Sequence, residues 1–224
     1  MSKIKVIFDL DGTLIDTEKL YRKYWPMAFA DYGYELSDER ALMLRSLGRP
    51  FSPILMKEWF GENFDYDKVR QRRKEYIEDY VNKNGIELRP GVITLLDRLK
   101  SDGITTAIAT ATDLERTSKY LQMVGLEKEF EHIICATMVK QGKPAPDIYD
   151  FAVTKLNADR NFTLAVEDAP NGVLSAYRAG LKVVYVPDQT PSDDDIRPYI
   201  YSEVTRIDGI IDLIEALKTE AEVL

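Results

Sequence analysis

The stretch Ile4-Lys5-Val6-Ile7-Phe8-Asp9-Leu10-Asp11-Gly12-Thr13 decides how the chain is read. Its first half is a short, nearly unbroken apolar run, the pattern of a strand buried on both faces. Two aspartates follow at once, and then a glycine that lets the chain turn sharply. Four more runs have the same character: Ile104 to Ala109, His132 to Cys135, Thr163 to Val166 and Lys182 to Val186. Helical periodicity separates or follows them. Val92, Leu95, Leu96 and Leu99 fall at i, i+3, i+4 and i+7 before Gly103. Leu114, Leu121 and Val124 mark a second helix capped by Asp113, Pro170 to Gly180 a third, and Ile207, Ile210, Ile211, Ile214 and Leu217 a fourth. Strand and helix alternating at this spacing predict an α/β fold: a doubly wound, Rossmann-like parallel sheet with right-handed crossovers.

One segment departs from that alternation. From Thr17 to about Ile86 there is no strand pattern. Tyr21, Tyr24, Trp25, Ala28 and Phe29 form one helical stripe, and Val69, Arg73, Tyr76, Ile77 and Tyr80 another. The segment is far too long for a strand-to-helix loop. It reads as an inserted all-helical cap domain of about four helices over 17–86, with 1–16 and 87–224 making the α/β core.

Composition narrows the function classes. The 224 residues are 45% apolar and 30% charged, with a formal net charge of −8. That balance argues against a nucleic-acid surface. No apolar run approaches the roughly 20 residues of a membrane span, and the N-terminus does not read as a signal peptide. The single cysteine, Cys135, allows no internal disulfide and suits a reducing compartment. The expectation is a cytoplasmic protein, a monomer or weak oligomer. The only histidine, His132, opens a strand, so acid–base chemistry falls to carboxylates or lysines.

In open α/β sheets ligands bind beyond the carboxyl ends of the strands. Asp9 and Asp11 follow the first strand, Thr110 the second, and Glu167 with Asp168 the fourth; Lys143 lies in the loop after the third. Each alone reads as a turn former, cap or loop residue. Together they bring carboxylates, a hydroxyl and an ammonium to one edge. Such a set suits a hard cation like Mg²⁺. It also suits in-line attack of Asp9 on phosphorus, with Asp11 as acid and base. Thr110 and Lys143 are then placed to hold the non-bridging oxygens.

The run Phe8 to Asp16 resembles the first motif of the haloacid dehalogenase superfamily. Ala107 to Thr110 resembles its second motif, Gly142-Lys143-Pro144-Ala145-Pro146-Asp147 its third, and Glu167-Asp168-Ala169-Pro170-Asn171-Gly172 its fourth. The insert after the first motif is similar to the helical cap of the subgroup of β-phosphoglucomutase and sugar-phosphate phosphatases. The resemblance implies Asp9 as nucleophile and Asp11 as general acid and base. It implies Mg²⁺ held by the Asp9 side chain, the Asp11 carbonyl and Asp168, with Glu167 adjacent. Ala111 stands where relatives often carry Ser or Asn, leaving its backbone N–H to meet phosphate.

Leu44-Arg45-Ser46-Leu47-Gly48-Arg49 is similar to the subgroup's substrate-facing cap loop, so Arg45 or Arg49 is expected to hold a distal phosphate or carboxylate. Lys74 is expected as a second cap cation, the rest of Arg72-Arg73-Lys74 being a solvated face. The implied activity is Mg²⁺-dependent hydrolysis of a small sugar- or polyol-phosphate monoester through an aspartyl-phosphate. The alternatives are a β-phosphoglucomutase-type mutase and, less favoured, a phosphoacceptor without turnover. Tyr21, where the mutase tends to have a histidine, weighs against the first.

Overall fold

The structure, a computed structural model, describes residues 3–223. Its sheet has six parallel strands: β1 (Lys5–Phe8), β2 (Thr105–Thr110), β3 (His132–Cys135), β4 (Thr163–Glu167), β5 (Lys182–Tyr185) and β6 (Ser202–Glu203), in the order β3-β2-β1-β4-β5-β6. The first five lie where the apolar runs put them. The two-residue β6 has no apolar run of its own and was not legible in the sequence.

Alternate side chains of each strand serve different layers, as the pleat requires. Val6, Phe8, Ile108, Leu164 and Val166 join Leu95 and Leu99 of α5 (Val92–Ser101), Leu121 of α6 (Leu114–Met123) and Ile210, Ile214 and Leu217 of α9 (Ile210–Val223). Ile7, Ala107, Ala109, Ala165 and Val183 pack instead on Ile148, Tyr149 and Ala152 of α7 (Asp147–Leu156) and Val173 and Ala176 of α8 (Pro170–Arg178). Both faces of the sheet are covered, which is why its strands read as continuous hydrophobic runs. Helix starts follow local chemistry: the Asp113 carboxylate accepts from Arg116 N–H at 3.1 Å, and Pro170 sits in the first turn of α8.

Between β1 and α5 lie α1 (Glu18–Ala30), α2 (Asp38–Met43), α3 (Phe51–Phe60) and α4 (Tyr66–Asn84). They share a cluster of their own around Phe29, whose ring lies 5.0 Å from Phe60 and 5.2 Å from Phe64. Leu20 and Tyr24 of α1 and Ile77 and Val81 of α4 pack into the sheet's cluster and seat this helical cap on the core. No helix among the described residues is long and apolar enough to cross a membrane.

Candidate active site

Sheet register assembles the acidic centre. Phe8 of β1 pairs with Val166 of β4, and the Asp9 N–H donates to the Val166 carbonyl at 2.9 Å. Asp9 therefore leaves the sheet beside Glu167 and Asp168, although more than half the chain separates them. Gly12 (φ +83°) turns the chain beneath them; a Cβ there would fall 2.4 Å from Asp168 Oδ2. No side chain fits that turn.

Lys143 Nζ lies 2.5 Å from Asp9 Oδ1 and 2.6 Å from Glu167 Oε1, with all three residues buried. The Tyr149 hydroxyl donates to the same Glu167 oxygen at 2.5 Å. Asp168 Oδ1 accepts from Thr13 at 3.2 Å. The remaining oxygens, Asp9 Oδ2, Glu167 Oε2 and Asp168 Oδ2, are buried with no hydrogen-bond partner among the described residues. Asp9, Glu167 and Asp168 each offer an oxygen, all within 4.8 Å of one another. Three buried carboxylates against one ammonium leave uncompensated negative charge and unpaired acceptors, both costly away from water. A hard divalent cation with oxygen ligands fits that deficit.

The protonation behaviour agrees. Burial, reinforced by Glu167 and Asp11 and opposed by Lys143, pushes the Asp9 carboxyl up to about 8. Asp168 is raised by burial and by Glu18, Asp9 and Glu167. Burial alone would depress Lys143, but Asp9 and Glu167 outweigh it and hold the ammonium charged above its ordinary range.

Asp11 faces elsewhere. Its carboxylate accepts from Thr17 at 2.6 Å and from Thr112 at 2.7 Å, and is outside the trio of unpaired oxygens. The Tyr21 hydroxyl lies 3.3 Å from Thr112 Oγ1, so a cap residue meets the hydroxyl that orients Asp11. Thr110 is fully buried, and its Oγ1 accepts from the Thr112 N–H at 3.0 Å.

A cavity of about 800 Å³, its open mouth included, separates cap from core. Asp9, Asp11, Ala111 and Thr112 line its core side. Of the expected cap cations, Arg45 lines it and is buried; its Nη2 donates to Thr190 at 2.8 Å, and its charge acts on Glu18 and Asp168. Arg49 also lines it but is exposed, paired with Asp67 and resting over the Tyr66 ring.

Lys74, expected as a second cap cation, lies outside the lining of this cavity. Its ammonium is 2.8 Å from Asp113 and lines a neighbouring cleft, drawn there by the carboxylate. Arg73, expected on a solvated face, is instead buried, 4.3 Å from the Trp25 ring and 4.8 Å from that of Tyr21. Its place between Val69 and Ile77 in the apolar stripe was the available signal. Glu18, Arg70 and Arg116 also line the cavity, and Tyr149 braces Glu167; the sequence reading singled out none of them.

The cap loop is clasped to the lysine loop by backbone alone. Gly48 N–H donates to the Lys143 carbonyl at 2.8 Å, and Gly142 N–H to the Arg49 carbonyl at 2.7 Å.

The fold and the buried acidic centre together define a doubly wound α/β protein with a helical cap and a candidate cation site at the carboxyl edge of its sheet. Residues 6–186 match the haloacid dehalogenase-like hydrolase family, and the chain belongs to it. It is 33% identical over 199 residues to protein CbbY of Rhodobacter capsulatus, covering 85% of this chain and 88% of that one. It is 33% identical over 187 residues to a phosphorylated carbohydrates phosphatase of Thermotoga maritima, covering 80% and 83%. Among solved structures, a mutant CbbY from Rhodobacter sphaeroides in complex with xylulose-(1,5)bisphosphate superposes with a TM-score of 0.77 at 25% identity. That match covers 92% of this chain and 95% of the other.

Proposed function

We propose that the protein is a Mg²⁺-dependent phosphatase that hydrolyses a small sugar- or polyol-phosphate monoester through a phosphorylated Asp9. One observation carries the reading: three clustered, buried carboxylates keep unpaired oxygens, two of them hold Lys143, and the centre opens, through Asp9, onto the cavity between cap and core. Asp9, Glu167, Asp168 and the backbone carbonyl of Asp11 are the residues to hold Mg²⁺. Bound there, the ion offsets the repulsion between a phosphate dianion and the carboxylates.

An oxygen of Asp9 attacks phosphorus while the ester P–O bond breaks. Asp11, released from Thr17, gives its proton to the departing alkoxide. Asp11 then takes a proton from water as that water attacks phosphorus and frees Asp9 with inorganic phosphate. Lys143, held charged by Asp9 and Glu167, offsets developing charge on the phosphoryl oxygens together with the Thr110 hydroxyl and the Ala111 N–H. Arg45 and Arg49 border the substrate from the cap, which comprises 17–86 over a core of 1–16 and 87–224. The lone, buried thiol of Cys135 supports a reducing, cytoplasmic setting.

Relatives named as phosphatases of phosphorylated carbohydrates and of glycerol 3-phosphate support hydrolysis over isomerisation. The test is inorganic phosphate release from a panel of sugar and polyol phosphates with Mg²⁺, beside an isomerisation assay on β-glucose 1-phosphate. Phosphate release from the panel is expected. Isomerisation without release would replace this reading with the mutase.

A further inference from the structure

Glu167 holds its two oxygens in different states. Oε1 accepts from the Lys143 ammonium at 2.6 Å and from the Tyr149 hydroxyl at 2.5 Å, while Oε2 is buried and meets no donor among the described residues. A carboxylate has no proton to give, so the phenol is the donor in that contact. One stretch of chain supplies both donors: Lys143 lies in the loop after β3, and Tyr149 in the first turn of α7, which that loop enters. Tyr149 is fully buried beside Ile148, Ala152 and Val153, with its ring 5.3 Å from Lys143 Nζ. Gly172 of α8 closes in on the same carboxylate. A Cβ there would fall 2.0 Å from Oε2 and 2.2 Å from Oε1, so the Glu167 side chain has little room to turn.

The two donors are not equivalent. Lys143 divides itself between Asp9 Oδ1 and Glu167 Oε1, and in the proposed reaction it also meets phosphoryl oxygens. The Tyr149 hydroxyl has one proton to donate, and Glu167 takes it. A glutamate that must be ordered when an ion arrives gives up rotamer freedom, whereas one already held loses little. Groups outside the ligand set that hydrogen-bond a ligand fix its orientation in this way.

We propose that Tyr149 is a positioning residue of the cation site: by occupying Oε1 of Glu167 it holds the carboxylate so that Oε2 is kept for Mg²⁺, and it remains on Glu167 when Lys143 turns to the substrate. This rests on the Mg²⁺-dependent phosphatase reading and adds to it a residue that touches neither ion nor substrate.

The test is calorimetric titration of the metal-free protein with Mg²⁺. Tyr149→Phe removes the hydroxyl and keeps the ring with its packing, so the fold should survive, which circular dichroism checks. Its Mg²⁺ affinity should be about tenfold to a hundredfold weaker than that of wild type, the usual effect of losing a hydrogen bond to a metal ligand. Ser175→Ala is the control, since it removes another buried hydrogen bond of the core, from Ser175 Oγ to the Ala145 carbonyl at 2.6 Å. It should lose stability in urea and keep wild-type affinity. Unchanged affinity in Tyr149→Phe, or an equal loss in Ser175→Ala, overturns the positioning role.

Phosphate release from the sugar and polyol phosphate panel, measured on the same wild-type preparation, separates this role from the reading beneath it. Release by wild type with unchanged affinity in Tyr149→Phe leaves the phosphatase and removes Tyr149 from its cation site. Weakened Mg²⁺ binding in the variant, without release by wild type, does the reverse. Wild type that binds no Mg²⁺ overturns both.

Discussion

Gly48 and Gly142 approach so closely that a Cβ built on Gly142 would lie 2.8 Å from the Gly48 Cα. The contact joins the cap's arginine-bearing loop to the loop that carries Lys143, and two backbone hydrogen bonds complete it. A methyl group there must push the loops apart. Gly142→Ala is expected to cost about 1–3 kcal/mol, the usual scale of overpacking. Melting temperature and kcat/KM measured on the same preparation divide that loss between folding and cap seating. A variant unchanged in both would show that the loops separate freely.

Asp9→Asn should lower phosphate release by at least about a thousandfold, as loss of a covalent nucleophile does elsewhere. The amide nearly matches the carboxylate in shape and keeps an oxygen for Lys143, so the fold should survive. Circular dichroism checks the fold, and a phosphate-release assay the rate.

Metal affinity should depend on pH. Asp9 is held at about 8 in the metal-free protein against 3.8 for the free side chain. Between those values the native state binds more protons than the unfolded chain, so metal-free stability should fall as pH rises through that window. Mg²⁺ must displace those protons, and its affinity should rise by up to about tenfold per pH unit per proton released, levelling off near pH 8. Urea midpoints and Mg²⁺ titrations at pH 6, 7 and 8 test both slopes. EDTA should abolish turnover and added Mg²⁺ restore it.

Ser46 adopts φ 51° in the cap loop, a conformation that disfavours a residue with a Cβ. Ser46→Gly should relieve up to about 1 kcal/mol of that strain, less what glycine gives back in unfolded-chain entropy. Equilibrium unfolding reads the net sign, expected to be small and stabilising.

The core was legible because burial on both faces leaves an unmistakable mark: Ile4 to Phe8 and Thr163 to Val166 are apolar at every position a layer needs. The acidic residues were legible because each follows such a run. The cap cations were harder. Lys74 and Arg73 are neighbours in sequence, and which one enters the cavity depends on a helix rotation of one residue. Arg73 shares its stripe with Val69 and Ile77, so periodicity placed it inside, while the clustering of charge argued the opposite. Arg116 and Tyr149 had no such mark. Each takes its place through a distant element, Arg116 by lining the cavity together with α4 and Tyr149 by donating to Glu167, and that proximity exists only after folding.

The adjacency of β1 and β4 also fixes when the chain becomes chemically competent. Asp9 precedes Glu167 and Asp168 by more than half the chain, and the two reach it only once β4 has paired with Lys5–Phe8. Until that pairing forms, a nascent chain on the ribosome holds Asp9 without the two carboxylates that complete its acidic centre.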